Sequence, residues 1–170
     1  MAGHTTLPAP AGATHAALIP AARAARAGAT RYCMVLSGRG PTLERTKKLA
    51  ELIRRIRTTW GIGTCLSVGL IDDEHAKILA EAGLERLNHN LNTSESHYAS
   101  ICSTHSYADR VATITAAARN GIQSCSGLSM GMGEKSDDLV EVAFRLRALK
   151  GPSIPVNFLI PIDGNPVQSD

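Results

Sequence analysis

Between residues 43 and 57 the apolar side chains fall at Leu49, Leu52, Ile53 and Ile56. Steps of three and four put these on one face of a helix, so a helix is predicted over residues 43–57, with Gly61 and Gly63 ending it. Short apolar stretches alternate with segments of this kind. Residues 31–36, 64–68, 87–91, 122–130 and 156–160 read as strands. Further helices are predicted over residues 16–27, stopped by Gly28, and from the capping residue Asp72 to about residue 82, stopped by Gly83. A short helix is expected within the polar stretch 93–106. Others follow over residues 107–119, ending at Asn120-Gly121, and over 137–149, after a turn at Gly131-Met-Gly-Glu134.

The strands begin near residues 31, 64, 87, 122 and 156, each after a helix. A βα repeat of this kind implies a parallel sheet with right-handed crossovers. No G-x-G-x-x-G follows the first strand, which disfavours a dinucleotide-binding fold. The expectation is an α/β protein, a partial (β/α)8 barrel of about five βα units, since a full barrel takes about 250 residues. Residues 1–15 are expected to be a poorly ordered leader and residues 16–170 the barrel domain.

Composition narrows the partners. The net charge is +3, from 18 basic and 15 acidic side chains, and marks neither a nucleic-acid nor a membrane surface. No apolar run approaches the ~20 residues that span a bilayer. The first acidic residue is Glu44, after Arg23, Arg26, Arg31 and Arg39. An acid-free, Ala/Arg-rich start fits an organelle transit peptide or an Ala/Pro leader ahead of a helix. A cytoplasmic location is expected, or a mitochondrial one in a eukaryote. The four cysteines contain no C-x-x-C pair, so zinc-ribbon and thioredoxin-like motifs are excluded.

In a parallel barrel the chemistry gathers near the C-terminal ends of the strands. Cys33, Cys65 and Cys125 each fall on a different predicted strand. Asn88 and Asn90, two apart, are expected on one face of theirs, and Asn157 lies on the last. Core packing is the ordinary fate of a free cysteine. A buried strand asparagine, by contrast, must be hydrogen-bonded or cost ~1–3 kcal/mol. The combination suggests an interior site of thiolates beside amides, and thiolates select iron–sulfur clusters, zinc or copper(I). His89 reads as a structural, hydrogen-bonded histidine and His105 as a capping or loop residue. Arg110 reads as a solvated helix-face residue and Glu134 as a helix N-terminal carboxylate.

Five segments carry a resemblance: Ala29-Thr-Arg-Tyr-Cys33, Asn88-His-Asn-Leu-Asn-Thr-Ser94, Thr104-His-Ser-Tyr-Ala-Asp-Arg110, Cys125-Ser-Gly127 with Gly131-Met-Gly-Glu134, and Ile154-Pro-Val-Asn-Phe-Leu159. In order and spacing they resemble the biotin synthases, radical S-adenosylmethionine (SAM) enzymes. The resemblance implies a (β/α)8 barrel that inserts sulfur between C6 and C9 of dethiobiotin. A [4Fe–4S] cluster would cleave SAM to a radical, and a [2Fe–2S] cluster would donate the sulfur. It further implies that Cys33, Cys65 and Cys125 are ligands of the [2Fe–2S] cluster, with Arg31 beside it. Asn88 and Asn157 would bind the dethiobiotin ureido group, and Asn90 would lie between substrate and SAM. Asn92 would meet the SAM ribose and Arg110 its carboxylate. A flavodoxin or ferredoxin electron donor and a homodimer are implied too. The family's Cys-x-x-x-Cys-x-x-Cys motif does not occur in this sequence, and Cys102 is given no role. The chain is therefore expected to be a gene fragment, a truncated gene model or a degenerate paralogue, inactive alone. The alternative is a non-catalytic protein that binds dethiobiotin, SAM or a metal cluster.

Overall fold

Helix α2 (Leu43–Trp60) combines an apolar stripe with a cap at each end. Thr42 caps it by accepting from the Arg45 amide at 3.2 Å. Gly61 ends it in the left-handed region, φ 65°, with its N–H on the Arg57 carbonyl. The predicted apolar face is the buried one: Ile53 and Ile56 are fully enclosed. Each contributes about 1.5–3 kcal/mol by leaving water.

The computed structural model describes residues 14–160. The expected leader lies outside them except for Thr14 and His15, which open α1 (Thr14–Arg26). The remaining elements are β1 (Arg31–Val35), β2 (Gly63–Ser67), α3 (Asp73–Glu81), β3 (Arg86–Asn88), α4 (Glu95–Ile101), α5 (Tyr107–Arg119), β4 (Gln123–Cys125), β5 (Leu128–Met130), α6 (Ser136–Ala148) and β6 (Val156–Phe158). Among the described residues no helix is long and apolar enough to cross a membrane.

The chain forms two compact units. The first runs through Asn88 and takes in Ala116–Gln123. Here β1, β2 and β3 pair in parallel, with Met34 opposite Leu66 and Leu66 opposite Leu87. That apolar row packs into a core with Leu52, Ile53, Ile56, Leu79 and Ile122. Asp72 caps α3 by accepting from the His75 amide at 3.0 Å. Gln123 continues the pairing past β3, its N–H on the Glu85 carbonyl at 3.0 Å.

The second unit is His89–Thr115 with the chain from Ser124 onward. Its strands β5 and β6 are parallel, with Leu128 opposite Val156 and Ser129 opposite Asn157. Its core joins Leu91, Tyr98, Tyr107, Ile114, Leu128, Val142 and Leu146.

Two strand predictions need correction. The stretch 122–130 is two strands, interrupted at Ser126-Gly127, where Gly127 lies so close to the Pro155 carbonyl that no Cβ fits. The stretch 87–91 leaves regular pairing after Asn88, so Asn90 is not on a strand and does not share a strand face with Asn88. Asn92 takes a left-handed conformation, φ 72°, which Asn tolerates better than most residues. It is held there by its own amide on Gly127 O at 3.1 Å and its carbonyl on the Ser129 amide at 2.8 Å.

Candidate functional site

Because strand side chains alternate, the face opposite Met34, Leu66 and Leu87 is fixed by the same register. Cys33 and Cys65 are partners on it, and Cys65 is in turn the partner of Arg86. A row Cys33–Cys65–Arg86 thus runs across three strands. Asn88, two residues beyond Arg86, shares that face. Strands in a sheet stand about 4.8 Å apart, so the two thiols are held as neighbours by backbone pairing. Neither is in a disulfide. At the strand starts Arg31 faces Gly63, and over that glycine its Nη2 and Nε meet Glu85 Oε2 at 3.1 and 3.3 Å. A Cβ at residue 63 would strike the Glu85 carboxylate. The ion pair is about one-third exposed, 32 and 37%, so it contributes no more than ~1 kcal/mol.

In the second unit Asn90 is held at two points. Its Oδ1 accepts from the Gly127 amide at 3.0 Å, and its carbonyl accepts from Arg110 Nη1 at 2.7 Å. Arg110 Nε also donates to the Tyr98 hydroxyl, and its guanidinium lies 5.7 Å from the centre of that ring. Arg110 is therefore a half-buried bracing residue and not the solvated one that its place on a helix suggests. Asn157 Nδ2 donates to the Leu128 carbonyl at 3.4 Å. Cys125 Sγ donates to Ser153 Oγ at 3.4 Å.

His89 is buried, and burial, helped by the charges of Arg110 and His105, pulls its pKa down to about 3. Its Nε2 has no hydrogen-bond partner among the described residues, contrary to the bonded histidine expected. His105 makes the loop contacts expected of it, with Thr104 Oγ1 at 2.9 Å and Cys102 Sγ at 3.5 Å. Burial pushes the Cys102 thiol up, but hydrogen bonds from Thr104, His105 and Tyr98 outweigh it and leave the thiol at about 7. Glu134 is not the helix N-terminal carboxylate predicted. It accepts from the Gly131 and Met132 amides at 2.6 and 2.7 Å, closing its own turn before α6 begins at Ser136. Burial works against its charge, and those amides still hold the carboxyl below its usual range.

The structure thus brings together Cys33 with Cys65, and Asn90 with Arg110. Asn88 belongs to the first unit, while Asn90, Asn92, Asn157 and Cys125 belong to the second. Among the described residues no group of three or more His, Cys, Asp or Glu side chains forms a metal site. The donor chemistry of the Cys33–Cys65 pair fits an iron–sulfur cluster as two of its ligands, since thiolates are the usual ligands and neighbouring strands fix their spacing. Two residues, one in each unit, escape sequence reasoning. Arg86 carries one legible signal, a charged residue on the same strand parity as Asn88. Cys102 carries none, because its neighbours are brought in by the loop after α4.

The model of the Radical SAM superfamily matches residues 14–146. The chain is 59% identical over 140 residues to the biotin synthase of Acaryochloris marina (strain MBIC 11017), covering 82% of this chain and 40% of that protein. It is 53% identical over 148 residues to the biotin synthase of Leptospira biflexa serovar Patoc, covering 87% and 42%. The chain therefore spans less than half the length of these relatives. Among solved structures, methylornithine synthase (PylB) aligns with a TM-score of 0.75 at 19% identity, over 86% of this chain and 45% of that one. The hydrogenase maturase HydG from Carboxydothermus hydrogenoformans aligns at 0.77 and 18% identity, over 92% and 39%. The parallel α/β arrangement is the partial TIM-barrel architecture of these neighbours, and the chain belongs to the Radical SAM superfamily.

Proposed function

We propose that this chain carries part of the substrate and sulfur-donor site of a biotin synthase, the enzyme that inserts sulfur between C6 and C9 of dethiobiotin. The observation that carries the reading is the pairing of Cys33 with Cys65 across β1 and β2, on the face shared with Asn88. These two thiols, with Cys125 as the third by resemblance, are read as ligands of a [2Fe–2S] cluster. Asn88 and Asn157 are read as binding the ureido group, because a primary amide offers a urea both a donor and an acceptor. Asn90, with its carbonyl and Oδ1 already engaged, is read as a rigid wall between substrate and SAM. Asn92 is read as meeting the SAM ribose and Arg110 as meeting its carboxylate.

When bound, the family's SAM and [4Fe–4S] cluster supply the radical chemistry. The chain's own residues orient the substrate and hold the thiols. No Cys-x-x-x-Cys-x-x-Cys motif occurs in this sequence, so the chain alone is expected to bind without turning over. A flavodoxin or ferredoxin donor and a homodimer belong to the same reading.

The test is iron and sulfide content after anaerobic reconstitution of the full chain. The expected result is stoichiometric iron and sulfide, lost when Cys33, Cys65 and Cys125 are all changed to Ala. A soluble wild-type chain that takes up no iron would overturn the proposal.

A further inference from the structure

The row that pairs the two thiols ends on a cation. Arg86 is the β3 partner of Cys65, which is the β2 partner of Cys33, so the three Cα positions are consecutive across one sheet face. The next row on the opposite face is wholly apolar, Met34–Leu66–Leu87, at 6, 0 and 1% exposure. An arginine is therefore placed on the thiol side where the adjacent row of the sheet is hydrocarbon.

One of its donors is left unsatisfied. Arg86 Nε is buried and has no hydrogen-bond partner among the described residues. The neighbouring arginine differs, since Arg31 is paired with Glu85. A buried N–H without an acceptor costs about 1–3 kcal/mol, more in a charged group. Such a donor is retained where an acceptor arrives with a ligand. The acceptors that two neighbouring thiolates would bring are sulfurs and negative charge, both of which a guanidinium complements.

We infer that Arg86 is a positioning residue for an anionic iron–sulfur cluster on Cys33 and Cys65, donating from its guanidinium to the cluster's sulfur atoms. The inference rests on the ligand reading given under Proposed function. Hydrogen bonds to the sulfurs and net charge both set a cluster's potential. Arg86 therefore stabilises the reduced, more negative form.

The experiment reconstitutes the full chain anaerobically as wild type, Arg86→Lys and Arg86→Met. Iron and sulfide content are measured, then the reduction potential by optical titration, with far-UV circular dichroism as the check on folding. The expected result is equal iron in wild type and Arg86→Lys. The midpoint should move negative in Arg86→Met by about 59 mV, a tenfold fall in the reduced-to-oxidised ratio at a fixed potential for one electron. Arg86→Lys should fall between. If Arg86→Met folds but loses its iron while Arg86→Lys keeps it, the inference also stands. A bound cluster of unchanged potential and spectrum in Arg86→Met would overturn this inference and leave the ligand reading intact. A wild-type chain without iron would overturn both.

Discussion

Arg110 Nη1 donates to the carbonyl of Asn90 at 2.7 Å, twenty residues back along the chain. The same guanidinium also donates to the Tyr98 hydroxyl and lies over the Tyr98 ring. One side chain from α5 thus fastens both the segment after β3 and the helix α4. Arg110→Met is expected to leave these two acceptors unmatched and cost about 1–3 kcal/mol. Urea unfolding followed by circular dichroism would read this as a lower midpoint, with Tyr98→Phe costing less. An unchanged midpoint in Arg110→Met would remove the bracing role.

His89 predicts how stability depends on acid. Its folded pKa is about 3 against an ordinary 6.5, because burial and the nearby Arg110 and His105 charges disfavour the cation. The unfolded chain therefore takes up a proton below pH ~6.5 that the folded chain refuses. His89 destabilises progressively as pH falls from there toward 3, by at most about 1.4 kcal/mol per pH unit, and has no effect above that window. Stability measured from pH 7 to 4 should fall less steeply in His89→Leu than in wild type. Parallel slopes would show that His89 gains its proton in both states.

Cys102 should be a reactive thiol at neutral pH. Its thiol stands at about 7, whereas Cys65 is 5% exposed and shielded. Alkylation by iodoacetamide, followed by peptide mass spectrometry, should reach half its maximal rate near pH 7 at Cys102. Thr104→Val, which removes one of the bonds holding the thiolate, should move that point upward. A half-maximum near pH 9 in the wild-type chain would contradict the geometry around His105 and Thr104.

Among the described residues the β6 strand has an exposed apolar face. Val156 and Phe158 point the same way, at 47 and 70% exposure, and Ile160 continues the alternation at 76%. A strand of this kind, hydrogen-bonded to β5, invites self-association. The double change Phe158→Thr with Ile160→Thr should lower light scattering at a given concentration and leave the far-UV spectrum unchanged. Equal scattering in the two chains would count against β6 as the source.

The helices were the most legible part of the sequence, for a local reason. Helix α5 is Tyr107–Arg119 as its pattern predicts, and α2 and α3 end at the glycines that mark them. A cap and a 3.6-residue period act within a turn or two of chain, so no distant partner is needed to read them. The placement of Cys33, Cys65 and Asn157 on strands was legible too, because short apolar runs between helices have few other fates.

Tertiary contacts decided the rest. The break at Ser126-Gly127 lies where Gly127 meets the Pro155 carbonyl, a contact across 28 residues that no local pattern carries. Arg110 looks like an exposed helix residue until Tyr98 and Asn90 are folded around it. The row Cys33–Cys65–Arg86 depends on register between strands more than twenty residues apart, and a slip of one residue would send each side chain to the other face. The sequence alone determined which residue types and helices are present. Which thiol has which neighbour was left to the long-range packing of Met34, Leu66 and Leu87, because burial of that apolar row is what selects the register.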